Sequence, residues 1–300
     1  MKKTVIIAII LCISLQGCKS ITAIADIGAQ VAGAAGVIDQ NTVDAISSSA
    51  RAISSAAEEI TPEQEYYIGR AVAATILSNY RLWDGDPALT AYLNHICKAI
   101  VINSDNPEIF GGYRVAILDS DEINAFATSS GHIFITRGLI AGAGSEDALA
   151  AVIAHEVAHV QLQHSIKAIR TSRITQALMV TGTSAAGVAT GYNVNELTSI
   201  FEETVNDIVS TLINNGYSQT QEFEADSAAL ALLAGAGYNP SGLINVLQEL
   251  ERTQSRRPGG FNRTHPTPAS RLSNARSELG RHNVADTSAS RRARFEAAVR

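Results

Sequence analysis

The chain has 300 residues, of which 46% are hydrophobic and 17% are charged, and its net charge is −6. This length and composition are sufficient for one sizeable hydrophobic core with appendages. A net negative charge gives no general reason to expect binding to nucleic acid.

The N-terminal segment has the pattern of a lipoprotein signal. Two lysines at positions 2 and 3 precede an apolar run that is too short to span a membrane comfortably, and Leu-Gln-Gly-Cys ends at Cys18. We therefore predict that residues 1–18 form a signal peptide and that Cys18 carries lipid. Because Cys12 leaves with the signal, Cys97 is the remaining free thiol, and its helical spacing with apolar neighbours predicts a buried core position.

Residues 19–60 are rich in alanine and serine and poor in charge. This composition indicates either a spacer or a loosely docked helix with small residues four positions apart. By resemblance to lipoprotein sorting in Gram-negative bacteria, Lys19 after the lipidated residue favours the outer membrane.

A catalytic domain is predicted for residues 61–280, beginning with two helices. Thr61 and Gln64 form a capping box around Pro62, and the turn that ends at Pro87 starts a second helix, which extends to about residue 102. Residues 113–136 then change to the alternating, β-branched pattern of a small sheet, with His132 in its hairpin. An edge strand there could pair with an extended peptide. His132 is either a fourth metal ligand or an ordinary strand histidine.

The sequence HEVAH at residues 155–159 matches the HExxH pattern of zinc peptidases. On a helix, His155 and His159 share one face, so both imidazoles can reach one ion while Glu156 lies beside them. Ser145 can cap this helix, and no proline or glycine interrupts residues 145–169, which predicts one long helix. A catalytic zinc also needs a third protein ligand and an open position.

The third ligand is predicted to come from a second helix. A metzincin site would need glycine and histidine where this chain has Leu162 and Ser165, so that class is excluded. The gluzincin alternative needs a glutamate further along, and Glu222 and Asp226 lie four positions apart on one helical face. We predict that Glu222 binds the metal and that Asp226 accepts the outer N–H of a metal-bound histidine.

The C-terminal third contains helices and a loop. Residues 181–191 are small and uncharged and form either a flap over the cleft or a loop facing the membrane. His265 either occupies the open metal position as a latch or shapes a turn before a helix at 269–279. The tail at 281–300 is arginine-rich, which suits either anionic lipid or a solvated chain.

Four segments together resemble the HtpX-like and CAAX-prenyl-protease-type zinc metallopeptidases, and more closely their periplasmic lipoprotein branch. They are NAFATSSGHIFITRGLI (124–140), HEVAHVQLQH (155–164), YSQTQEFEAD (217–226) and HPTPASR (265–271). The resemblance covers about 61–275. It implies zinc ligation by His155, His159 and Glu222, general-base chemistry by Glu156 and a supporting role for Asp226. Gln219 stands where the family commonly has arginine.

These observations predict a mainly helical α+β fold, a gluzincin-type peptidase domain with a small β-sheet beside the active-site helix. One Zn²⁺ per chain would lower the pKa of bound water, and Glu156 would move the proton to the leaving amine. His265 or Arg271 could stabilise the transition state. The resemblance implies a lipid-anchored endopeptidase at the periplasmic face of the outer membrane, acting on misfolded or misassembled envelope proteins. The alternative is a zinc-stabilised, chaperone-like binding lipoprotein with little proteolysis.

Overall fold

The computed structural model describes residues 60–167, 206, 208–254, 260–265, 268–282 and 288–299, with four isolated positions before residue 41. The predictions for the signal at 1–18, for Cys18, for the spacer up to residue 59 apart from those four positions, and for the segment 181–191 lie outside these residues. Thr61–Ile166 and Phe201–Arg300 belong to one compact unit.

The unit begins with helices α1 (Pro62–Asn79) and α2 (Pro87–Ile102). The Thr61 side chain accepts from the Gln64 backbone while the Gln64 side chain accepts from the Thr61 backbone, which is the predicted capping box. Asp86 caps α2 in front of Pro87. The Cys97 side chain is buried in the core, as predicted, and burial raises the pKa of its thiol to about 12.

Three strands form the small sheet in the order β1-β3-β2: β1 (Arg114–Leu118), β2 (Ala125–Ala127) and β3 (His132–Thr136). β1 is parallel to β3, and β2 and β3 are the two arms of an antiparallel hairpin. All three residues of β2 are buried, and this edge strand packs against the following long helix.

After the short helix α3 (Arg137–Gly142), helix α4 (Glu146–Gln161) runs through the centre of the unit. Ser145 caps α4 as predicted. Every residue from Ala148 to Val160 is buried, as expected of a helix surrounded by other elements on all sides. The helix ends at Gln161 instead of continuing to 169, because Gln163 adopts a left-handed conformation (φ 53°).

The remaining helices surround α4, which packs most extensively against α5 and α6. They are α5 (Gln219–Gly235), α6 (Ser241–Gln254), α7 (Phe261–Thr264), α8 (Pro268–Leu279) and α9 (Ser288–Val299), with a π-helical turn at Thr211–Asn215 before α5. The predicted capping box of Ser218 and Gln221 opens α5.

Residues 288–299 do not extend as a solvated tail. They form α9, which packs against α2 and α4 and places Arg291 and Arg294 on two acidic residues at the start of α4. Two of the arginines of this segment therefore form internal ion pairs that the sequence pattern did not indicate.

The structure confirms a mainly helical α+β fold with a small sheet beside α4. Across the described ranges, none of the helices combines the length and the apolar character needed to cross a bilayer.

Candidate metal centre

Two imidazoles on α4 form the base of the site. His155 and His159 are one turn apart and buried, and their Nε2 atoms lie 3.1 Å from each other. Both Nε2 atoms face the same point, because residues four positions apart on a helix share one face.

Helix α5 brings Glu222 to these imidazoles. Its Oε2 lies 3.5 Å from Nε2 of His155, and its Oε1 lies 3.6 Å from Nε2 of His159. The Ser218 cap sets the start of α5, so that Glu222 falls in the first turn. The packing of α4 against α5 then places the carboxylate opposite the two rings.

His265 completes a group of four. Its Nδ1 lies 3.2 Å from Nε2 of His155 and 3.1 Å from Oε1 of Glu222. The four potential ligand atoms of His155, His159, Glu222 and His265 all lie within 4.8 Å of one another, and all four side chains are buried. His132 is not in this group: its Nδ1 lies 2.7 Å from the hydroxyl of Ser130.

Glu156 lies beside this group and is also buried. Its Oε1 is 3.3 Å from Nε2 of His265. Within the part of the chain that the structure describes, Oε1 of Glu156 is buried without a hydrogen bond of good geometry. Burial raises the pKa of Glu156 above its ordinary value, which brings the carboxyl group closer to the range useful for proton transfer near neutrality.

Asp226 and Arg271 contact the potential ligands on the side away from the cluster of ligand atoms. Oδ1 of Asp226 lies 3.0 Å from Nδ1 of His155, the ring nitrogen that faces away from the cluster. The guanidinium of Arg271 donates to both oxygens of Asp226 at 2.7 and 2.8 Å, and its Nη1 lies 2.7 Å from Oε2 of Glu222. This buried arginine therefore fixes the relative positions of two carboxylates on α5.

The site favours a positive charge. With the imidazoles neutral, as metal binding requires, it contains three carboxyl groups (Glu156, Glu222, Asp226) and one guanidinium (Arg271), so a divalent cation would bring the formal sum to zero. Burial alone would raise the pKa of Glu222, but Arg271 and His265 lower it well below its ordinary value. Burial and Arg271 lower the pKa of His155, yet hydrogen bonds with Asp226 and Glu222 raise it to about 9. A buried site in which carboxylates outnumber guanidinium groups is suited to a metal ion.

His159 has the form that a metal ligand needs. Burial lowers its pKa well below the ordinary value, which keeps the imidazole neutral. Imidazole nitrogen with a carboxylate oxygen is a donor set suited to a divalent transition metal. The residues present therefore fit a bound metal ion.

Sequence patterns missed two neighbours of the ligands. Tyr217 stacks on the ring of His159 with centroids 4.0 Å apart, and His164 contacts the outer nitrogen of His159. The position of Tyr217 directly before the Ser218 cap was the available signal. The sequence predicted a hydrogen-bonding or surface role for His164 but not this position, because an uninterrupted helix would have placed it on another face.

Comparison with known proteins agrees with this geometry. Residues 87–279 match the model of peptidase family M48. The beta-barrel assembly-enhancing protease of Yersinia pestis is 29% identical over 208 residues, covering 68% of this chain and 42% of that protein. Metalloprotease LoiP of Escherichia coli is 28% identical over 201 residues, covering 66% of this chain and 75% of that protein.

The match extends from the second helix through the HEVAH helix and the Glu222 helix to the end of α8. The chain spans less than half the length of the beta-barrel assembly-enhancing proteases it resembles. Its relatedness to these metalloproteases confirms the predicted resemblance, and polypeptides are the substrate class of such enzymes. The chain belongs to peptidase family M48.

Proposed function

We propose that this chain is a zinc endopeptidase in which His155, His159 and Glu222 hold one Zn²⁺ and Glu156 is the general base. The observation that carries the proposal is the convergence of the potential ligand atoms within 4.8 Å in a buried site. Two imidazoles and one carboxylate are a known catalytic zinc ligand set.

The mechanism follows from what surrounds these ligands. Bound zinc would supply a Lewis acid that lowers the pKa of a water molecule in the open position. Glu156 takes a proton from the attacking water and delivers it to the leaving amine nitrogen. Asp226 accepts the Nδ1 proton of His155 and so holds Nε2 toward the cluster, while Arg271 keeps Glu222 and Asp226 in place.

The test compares wild type with Glu156→Gln on unfolded casein, with zinc content measured in parallel. We expect stoichiometric zinc in both proteins and a loss of cleavage of about 10²–10⁴-fold in the variant. Glu251→Gln, an exposed glutamate on α6, is the control. Equal cleavage by Glu156→Gln contradicts the assignment, and no cleavage by either protein favours the chaperone-like alternative.

We further propose that His265 is a latch that occupies the fourth metal position at rest. Its loop is held on both sides: the Phe261 N–H donates to the carbonyl of Ile123 (2.8 Å), and the Tyr217 N–H donates to that of Thr264 (3.2 Å). Gly260 allows this approach, since its φ is +58° and a Cβ there would lie 2.5 Å from the Ile123 carbonyl oxygen.

His265→Ala should raise peptidase activity without loss of zinc, because the open position becomes accessible to water and substrate. His95→Ala, on the exposed face of α2, is the control. Unchanged activity would exclude a latch. Reduced activity would instead assign His265 to transition-state stabilisation, the role we consider for Arg271 as well.

We also propose a cellular location and a class of substrates. The lipobox ending at Cys18 supports a signal at 1–18, a spacer at 19–60 and a lipid-anchored peptidase domain at 61–280 in the cell envelope. The relatives named beta-barrel assembly-enhancing proteases support misassembled envelope proteins as substrates. Cys18→Ala should abolish labelling by radioactive fatty acid and release the protein from outer membranes; unchanged labelling would refute the anchor.

A further inference from the structure

Two turn residues, Leu162 and Gln163, interrupt the helix after α4, and the helical residues 164–167 that follow begin with a third histidine. Gln163, with φ 53°, is the only described residue other than glycine with a positive φ. A continued helix would place His164 on a different face from His159, five residues earlier. With the helix interrupted at the left-handed residue, His164 instead contacts His159 and is fully buried. A strained backbone conformation of this kind is most often kept where it serves a site.

His164 connects His159 to a carboxylate. Its Nδ1 lies 2.8 Å from Nδ1 of His159, and its Nε2 lies 3.1 Å from Oε2 of Glu224. The Gln221 side chain donates to the His164 carbonyl (3.3 Å), which holds the residue against the start of α5. The chain of contacts therefore runs from the ligand cluster to a half-exposed glutamate on α5.

With a metal on Nε2 of His159, one arrangement of protons satisfies the contacts of His164 with His159 and Glu224. Nε2 of His159 faces the other ligand atoms and must offer a lone pair to a metal, so its proton resides on Nδ1. Nδ1 of His164 then has to accept that proton, which leaves the proton of His164 on Nε2, directed at Glu224. A carboxylate at the far end selects this direction, because it accepts hydrogen bonds and does not donate them when ionised.

We propose that His164 and Glu224 are positioning residues that hold His159 in its metal-binding tautomer and orientation, a role that rests on the metal assignment proposed above. His155 reaches Asp226 on α5 directly, at 3.0 Å, whereas His159 reaches Glu224 on α5 through His164. Each of the two proposed imidazole ligands on α4 is thus connected, directly or through His164, to a carboxylate of the helix that also carries Glu222. This arrangement couples the relative position of α4 and α5 to the geometry of the ligands.

The test measures zinc affinity by competition with a chelator of known affinity, together with thermal unfolding of the metal-free proteins. His164→Phe should weaken zinc binding by about 10- to 100-fold, the range typical for loss of a group that supports a ligand. His164→Asn should recover most of this loss, because its side-chain oxygen can accept the Nδ1 proton of His159. A purely structural role predicts that both variants lower the unfolding temperature while zinc affinity stays at the wild-type value, which would overturn the proposal.

Glu224 gives a second test at a half-exposed position that can be changed without disturbing the core. Glu224→Leu should weaken zinc binding, Glu224→Gln should retain more affinity because it keeps an acceptor oxygen, and the exposed control Glu251→Leu should have no effect. In a His164→Asn background, Glu224→Leu should add little, because the connection is already broken. Equal affinities of Glu224→Leu and Glu251→Leu would exclude a role for Glu224.

Nitrogen NMR of ¹⁵N-histidine in the zinc-loaded wild type reports the tautomers directly. We expect His159 to be protonated at Nδ1 and His164 at Nε2; a proton on Nδ1 of His164 would overturn the proposal.

The metal assignment and the positioning role of His164 and Glu224 fail in different experiments. If wild type binds no zinc, or if His155→Ala and Glu222→Ala leave zinc bound, the metal assignment is wrong. If zinc is lost in those variants but His164→Phe binds it normally, only the positioning role is wrong.

Discussion

The two ends of helix α4 carry carboxylates whose charges are matched in opposite ways. At its start, Glu146 accepts from Arg294 (2.6 and 3.1 Å) and from the hydroxyl of Tyr92 (3.0 Å), while Asp147 accepts from Arg291 at 2.9 Å. Two carboxylates thus face two guanidinium groups, and each has hydrogen bonds from the protein itself.

Near its other end, Glu156 lies with Glu222 and Asp226 around one guanidinium, that of Arg271. Oε1 of Glu156 there has no hydrogen bond of good geometry within the described part of the chain. The comparison shows how one helix can support packing at one end and chemistry at the other. Carboxylates that each have a guanidinium partner are satisfied by the protein itself, whereas a buried cluster with excess negative charge is prepared for a cation.

The largest expected effect comes from removing the guanidinium of the candidate metal centre. Arg271→Gln should lower the free energy of unfolding of the metal-free protein by about 3–5 kcal/mol, because two buried carboxylates lose their partner. Chemical denaturation of the metal-free variant measures this. The control is Arg276→Gln, an exposed position on the same helix, which should change stability by no more than about 0.5 kcal/mol. If Arg271→Gln and Arg276→Gln lose similar amounts of unfolding free energy, the buried carboxylates do not depend on the Arg271 charge.

Zinc itself should separate the two ends of α4. At a free zinc concentration of 100 times the dissociation constant, wild type should gain about 2.7 kcal/mol of stability. Arg294→Gln should gain the same amount, whereas Asp226→Asn should gain only about 0.4–1.4 kcal/mol if its affinity falls 10- to 100-fold. Unfolding curves at fixed zinc concentrations measure these gains. If zinc stabilises Asp226→Asn as much as wild type, Asp226 does not support zinc binding.

The smallest effect is expected at the start of α4. Arg294→Gln should cost about 1 kcal/mol, because the Arg294 side chain is 54% exposed and Glu146 keeps the hydrogen bond from Tyr92. Arg252→Gln, which breaks the exposed pair with Glu249 on α6, should cost about 0–0.5 kcal/mol. Thermal unfolding measures both. A loss of zinc affinity in Arg294→Gln would show that the two ends are coupled and would contradict the comparison.

Local sequence patterns predicted the elements that depend on near neighbours. The capping boxes at Thr61 and Ser218 were predicted, and so was the cap at Ser145, because each involves residues three positions apart. The HEVAH spacing placed His155 and His159 on one face for the same reason. The fold class followed from the change of period between residues 113 and 136.

Contacts between distant residues were harder to predict. His265 lies 110 positions from His155, and the sequence left its latch role and a simple turn as alternatives. The arginines of α9 find partners more than 140 positions away, so composition alone suggested a tail. The sequence predicted that α4 continues beyond its observed end, because glutamine at 163 gives no signal for a left-handed residue.

The sequence by itself determined which residues can share a helical face, where the helices begin, and that two imidazoles and an acid lie together on one turn. These properties depend on backbone geometry over a few residues. Only the tertiary structure decided that Glu222, His265 and Arg271 meet those imidazoles, that His164 turns back to His159, and that the charges are balanced at one end of α4 and unbalanced at the other. Those outcomes depend on how buried helices pack, and the electrostatic free energy of a buried charge depends on every neighbour within a few ångströms, whatever its position in the chain.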